Sequence, residues 1–261
     1  MRQCCSPSGL GSGYPSAVAF VLVTGSAGAI GQPVCRELLS RGHQVRGFDR
    51  VKAPGVEDSV VADLRDREAV RRAAHGVDSV VHLAAEPDDT DFSVLEGPNV
   101  LGLFHVLDAA RLEHVPRVTL ASSIQVLGRW WDRGLSRPAS AADANPSNHY
   151  ALTKLWAEQM GEMYARLYGL SVIAVRVAFM VRNLSEALRL RQQELFDVYL
   201  SRGDVGRFFA LCVEAPAIAF AVLYAAGAGG ERRFDMEPAR RLLGFEARDR
   251  WPDGLDFELP E

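Results

Sequence analysis

The chain has 261 residues, 48% of them hydrophobic and 24% charged, with a formal net charge of −4. That is material for one large folded unit with a real core, and it excludes a disordered or fibrous chain. No basic surplus points to nucleic acid, and no apolar run reaches the roughly 18–20 residues that a bilayer-spanning helix needs.

Residues 1–16 are small, polar and turn-rich, the composition of a disordered leader. An apolar strand, Phe20 to Val23, then runs into a glycine-rich turn and a helix with Ile30, Val34, Leu38 and Leu39 on one face. A second strand, Gln44 to Phe48, ends in Asp49, and Val60-Val61 ends in Asp63 after a further short strand. A charged helix over residues 66–74 leads to the strand Ser79–Leu83, whose His82 reads as a packed core histidine. The spacing of Val100, Leu103, Leu107 and Ala110 predicts a helix over 98–113. Arg117 to Ala121 is a strand leading to Ser122-Ser123, a long helix follows from near Ser147 to Tyr168, and Ser171 to Val177 is another strand. Strands and helices that alternate at these lengths predict the α/β class: a doubly wound parallel sheet of Rossmann type, built from right-handed crossovers. The remainder predicts helices over 184–199 and 204–214, a strand over 218–224 and a short helix over 238–243. The expected division is a leader at 1–16, a dinucleotide-binding domain at 17–177 and a small substrate-binding region at 178–261.

The segment Val23-Thr-Gly-Ser-Ala-Gly-Ala-Ile-Gly31 follows a buried strand and opens a helix. Gly25 lets the chain turn, Gly28 lets the backbone approach a pyrophosphate, and Gly31 lets the helix pack close to the sheet. The amides at the helix start, including those of Ala29 and Ile30, attract phosphate. Asp49, about 20 residues on, can accept both ribose hydroxyls of an adenosine and would repel a 2′-phosphate, which predicts NAD over NADP. The neighbouring Arg50 could instead pair with such a phosphate. Asp63-Leu64 stands where an adenine amino group would be read.

Tyr150 and Lys154 form Y-x-x-x-K near the start of the long helix, so phenol and ammonium share a face. A nearby positive charge favours the phenolate and lowers the tyrosine pKa. Such a base can take the proton of a substrate hydroxyl while hydride leaves the carbon. Ser123, just past a strand end, can hold the same oxygen. The four cysteines (Cys4, Cys5, Cys35 and Cys212) show no metal-ligand spacing, so no metal is expected and a reduced, cytoplasmic protein is.

Together TGSAGAIG (24–31), Asp49, Asp63-Leu64, HLAA (82–85), Asn99, ASSIQVLG (121–128), YALTK (150–154) and Arg176 resemble the short-chain dehydrogenase/reductase superfamily. The likeness is to its extended branch of NAD-dependent epimerases, dehydratases and dehydrogenases. It implies that Ser123, five residues before Gly128, is catalytic with Tyr150 and Lys154. It places Leu83, Ala84, Ala85 and Asn99 at the cofactor, and has Lys154 hold the nicotinamide ribose. Ser122, Ser123, Gln125 and Tyr150 are then the substrate contacts. In layout the chain is similar to uronate dehydrogenases, which oxidise a sugar acid with NAD and hold its carboxylate by an arginine. Arg182, Arg189 and Arg191 are the candidates here. Ile124-Gln125 removes the acidic pair that a dehydratase needs.

The expectation is an NAD-dependent oxidoreductase acting on a small sugar or sugar acid. A sugar epimerase and a non-catalytic dinucleotide sensor are the alternatives. The short C-terminal region argues against a nucleotide-linked substrate. Trp130-Trp131 could wall a sugar pocket, and the acidic loop 86–89 reads as a solvated turn. By resemblance the helices near 98–113 and 148–168 could make a homodimer.

Overall fold

The structure is a computed structural model. It describes residues 18–133 and 137–259, without the side chains of 129–133. The expected leader and the rings of Trp130-Trp131 therefore lie outside the described residues.

Seven parallel strands form one sheet: β1 (Phe20–Thr24), β2 (Gln44–Asp49), β3 (Asp58–Val61), β4 (Ser79–His82), β5 (Arg117–Ser123), β6 (Ser171–Val177) and β7 (Phe220–Ala225). Their order is β3-β2-β1-β4-β5-β6-β7. The order reverses between β1 and β4, and in such sheets the crevice beyond the strand ends at that point is where ligands bind.

Helices cover both faces: α1 (Gly31–Ser40), α2 (Arg67–Ala74), α3 (Phe92–Leu95), α4 (Gly102–Leu112), α5 (His149–Tyr168), α6 (Leu184–Gln192), α7 (Arg202–Glu214) and α8 (Glu237–Leu243). One core packs α1, α6, α7 and α8 on the sheet through residues such as Val34, Leu38, Phe208 and Leu243. The other packs α2, α4 and α5 through residues such as Val70, Leu107, Ala157 and Tyr164. α1 lies so close to α7 that a Cβ on Gly206 would sit 2.9 Å from the Pro33 carbonyl.

Local chemistry sets the helix ends. Asp66, Asn148, Asn183 and Ser201 each accept an amide of the first turn that follows them, capping α2, α5, α6 and α7. Gly169, in the left-handed region, ends α5.

One expectation is corrected and one refined. Leu39 is largely exposed, because it falls off the α1 stripe that Val34 and Leu38 bury. The helix predicted over 98–113 is present, its first turn π-helical at Glu96–Leu101 before α4 runs on to Leu112. Pro98 cannot donate a main-chain hydrogen bond, which accounts for the wider turn around it. β7 pairs in register with β6, and its Leu223, Tyr224 and Ala225 share a core with β1 and α1.

Candidate active site

The crevice begins at the glycine turn. Gly25 has φ +72°, and a Cβ there would lie 2.6 Å from the Ala84 amide nitrogen. The turn after β1 and the Leu83–Ala85 segment after β4 thus touch backbone to backbone. Leu83 donates to the Thr24 carbonyl, and the Ala84 amide to the Thr24 hydroxyl. A Cβ on Gly31 would fall 2.0 Å from the Gly25 carbonyl oxygen, so the helix start can fold onto the turn only as glycine. Gly28 closes the turn with its amide on the same carbonyl, 3.0 Å away. No side chain caps the N-terminus of α1, where Ala29 and Ile30 lead in. The positive end of the helix dipole and its first amides are left for a phosphate.

Asp49, half-buried at the end of β2, accepts the Ala27 amide at 3.0 Å. That bond ties the carboxylate to the rim of the phosphate turn. The glycine cradle, the open helix end and this carboxylate fit a dinucleotide. Asp63 is pinned by both the amide and the guanidinium of Arg65, which hold its carboxyl down at about 2. Leu64 points into the core beneath α4, and its carbonyl accepts from His105. Its side chain packs in that core.

Ser123, Tyr150 and Lys154 converge at the end of β5, each 8% exposed. Ser123 is hydrogen-bonded to the Tyr150 phenol, and its Oγ accepts the Gln125 amide at 3.1 Å. The Lys154 ammonium donates to the Ala121 carbonyl at 3.1 Å and stands 5.6 Å from the centre of the Tyr150 ring. Burial pushes Tyr150 up to about 12; the Ser123 hydrogen bond and, more weakly, Arg182 oppose the rise, while Asp88 adds to it. The expectation that Lys154 sets the phenol's pKa is therefore corrected: desolvation outweighs the neighbouring charges. Burial also lowers Lys154 to about 8 and His82 to about 3. His82 is neutral and hydrogen-bonded through Nδ1 to Thr24, the packed histidine the sequence suggests.

Ser122 is turned away from the crevice. Its hydroxyl donates to Glu158 at 2.6 Å, and Glu158 grips Arg176 through two bonds of 2.9 Å. That pair is sealed in the core. Asn99 is likewise committed. It accepts the Glu86 amide at 2.7 Å and donates to the Glu86 carbonyl and to Thr153, whose hydroxyl donates to the Tyr150 carbonyl. It fixes the loop after β4 against α5 and so positions Tyr150. Gln125 is exposed at the rim, and its side chain accepts from Asn148.

The acidic loop is more than a solvated turn. Asp89 accepts the Tyr150 amide at 3.3 Å, and Asp88 reaches across to Arg182 at 3.0 and 3.3 Å. Arg182 is also held by Glu186, which, ahead of Asp88, raises its pKa. Of the other two arginines, Arg189 lies over the Phe179 ring, and both it and Arg191 are exposed on α6. Glu186 went unrecognised in the sequence, and the acidic run of Asp88 and Asp89 just past a strand end reads there as a solvated turn.

Residues 21–181 match the NAD dependent epimerase/dehydratase family. The chain belongs to that family. It is an NAD-dependent enzyme of the extended short-chain dehydrogenase type. The uronate dehydrogenase of Pseudomonas syringae pv. tomato is 29% identical over 212 residues, 78% of this chain and 73% of that protein. The L-arabinose 1-dehydrogenase (NAD(P)(+)) of Haloferax volcanii is 30% identical over 250 residues, 89% of this chain and 97% of that one. Among solved structures, MoeE5 in complex with UDP-glucuronic acid and NAD is 26% identical, with a TM-score of 0.77 over 90% of this chain and 95% of that chain. No helix among the described residues is long and apolar enough to cross a membrane.

Proposed function

We propose that the chain oxidises a hydroxyl of a small sugar or sugar acid, with Ser123 holding the reacting oxygen and Tyr150 taking its proton. Bound NAD supplies the hydride acceptor. Lys154 places positive charge behind the phenol and so favours the phenolate as the proton arrives. Asn99, Thr153 and Asp89 hold the start of α5 so that Tyr150 faces Ser123. The observation that carries the reading is the meeting of Ser123, Tyr150 and Lys154 beside a dinucleotide cradle. The names of the relatives, one for a sugar acid and one for a neutral sugar, support the substrate class.

Chain length does not set nucleotide-linked sugars aside, because MoeE5, of which this chain covers 95%, is named with one. The test is a screen of aldoses, uronic acids and nucleotide-activated sugars with NAD, followed by NADH absorbance. Accumulating NADH supports a dehydrogenase; substrate conversion without NADH would make it an epimerase, and neither would leave a sensor. Tyr150→Phe should lower turnover by about 10²–10⁴-fold, the usual loss of a general base, while NAD affinity stays near the wild-type value.

Two further parts belong to this proposal. α4 and α5 expose Phe104, Leu152, Trp156, Met163 and Leu167, an apolar surface suited to pairing with a second copy. A dimer mass in light scattering would support that, and a monomer would refute it. Cys35 and Cys212 are buried and free, in keeping with a reducing cytoplasmic setting.

A further inference from the structure

A guanidinium beside the reacting groups is an obvious anchor for a substrate carboxylate, provided its charge is available. Here it is already spent. Glu186, itself buried, takes the Arg182 side chain at 2.6 Å and the Arg182 amide at 2.8 Å. Asp88 takes the outer edge of the same guanidinium at 3.0 and 3.3 Å. Two carboxylates on one cation leave this trio net negative. Between His82 and Arg111 the chain has no lysine or arginine, and loop 86–89 adds Glu86 and Asp89. Lys154 does not redress the balance, since it is buried behind Tyr150 and bonded to Ala121.

Accepting the dehydrogenase reading above, we infer that Asp88, paired with Arg182 at the mouth of the crevice, selects against acidic sugars and directs the site to neutral ones. The pair is exposed, and an exposed ion pair is weak, so a carboxylate could displace Asp88 from Arg182. Asp88 would then stand unpaired beside the incoming carboxylate, a repulsive contact of like charges. Either arrangement disfavours a uronate. A neutral aldose meets no such opposition, and its hydroxyls can donate to the carboxylates that line the mouth.

The test compares kcat/KM for D-galacturonate with that for D-galactose and L-arabinose, in wild type and in Asp88→Asn. Wild type is expected to prefer the neutral sugars by at least about tenfold, the scale of one screened like-charge contact. Asp88→Asn should raise the uronate-to-aldose ratio by about tenfold, whatever it does to the absolute rates. A wild-type preference for galacturonate, or an unchanged ratio in the variant, would overturn the inference and leave the dehydrogenase reading standing. Calorimetric binding of the same sugars to the NAD-loaded protein separates the two ideas. If sugars bind but no NADH forms, the dehydrogenase reading fails, and the affinity ratio in the two proteins still decides the role of Asp88. If no sugar binds, both fail.

Discussion

The Lys154 ammonium stands 5.6 Å from the centre of the Tyr150 ring and donates to the carbonyl of Ala121. Two titrations of opposite sense therefore sit side by side. Tyr150, raised to about 12, must lose its proton to act as a base, whereas Lys154, lowered to about 8, must keep its own to favour the phenolate. For sugar oxidation kcat/KM should climb about tenfold per pH unit below pH ~8, where only the tyrosine fraction changes. Above that pH the gain in phenolate is matched by the loss of ammonium, and the profile should level off. Initial rates of NADH formation from pH 6 to 10 check this; a profile flat below pH 8 would remove Tyr150 from the role of base.

Cofactor choice rests on Asp49. Its carboxylate is fixed by the Ala27 amide at the rim of the phosphate turn, so a 2′-phosphate would meet a negative charge that cannot swing away. NAD should bind at least about tenfold more tightly than NADP. Asp49→Ser keeps an acceptor for Ala27 and removes the charge, and should narrow the gap by a similar factor. Dissociation constants for both cofactors and both proteins decide it. Equal affinities in wild type would assign the control to Arg50.

The buried pair Glu158–Arg176 carries more stability than chemistry. Its side chains are 2% and 1% exposed. Arg176 also binds the Ser140 and Ala141 carbonyls and the Tyr224 hydroxyl. Removing one partner of such a pair strands the other charge in the core, at a cost of about 3–5 kcal/mol. Glu158→Ala should lower unfolding stability by that amount in urea titrations. Glu158→Gln, which keeps an acceptor for Ser122, should lose less. Equal stability of wild type and Glu158→Ala would show that the core relaxes around Arg176.

The order of elements was legible because each strand is a short apolar run and each helix an apolar stripe, and alternating the two leaves a parallel sheet as the solution. The glycine turn and Y-x-x-x-K were legible because their chemistry is local. Side-chain direction was harder. Ser122 and Ser123 are neighbours in sequence, but successive residues of a strand face opposite sides, and only Ser123 reaches Tyr150. The Asp88–Arg182 pair spans 94 residues of sequence. No periodicity links two such positions; only the sheet, which brings the ends of β4 and β6 to one edge of the crevice, makes them partners.

His82 yields a prediction about acid stability. Its ring is buried at the end of β4, with Nδ1 on the Thr24 hydroxyl, and burial followed by the Lys154 charge holds its pKa at about 3. In the unfolded chain a histidine titrates near 6.5. Below that pH the unfolded state takes up a proton that the folded state refuses until about pH 3. Folding stability is therefore fully present above pH ~6.5 and falls as the pH drops, by about 1.4 kcal/mol per unit for one proton. Between pH 6.5 and 4.5 this group alone should remove about 2 kcal/mol. His82→Asn keeps a polar partner for Thr24 and cannot titrate. It should be less stable than wild type at pH 7, with the difference shrinking or reversing by pH 4.5 in urea unfolding at each pH. Parallel pH dependences for the two proteins would mean that His82 is protonated in the fold and that Thr24 and Lys154 tolerate the charge.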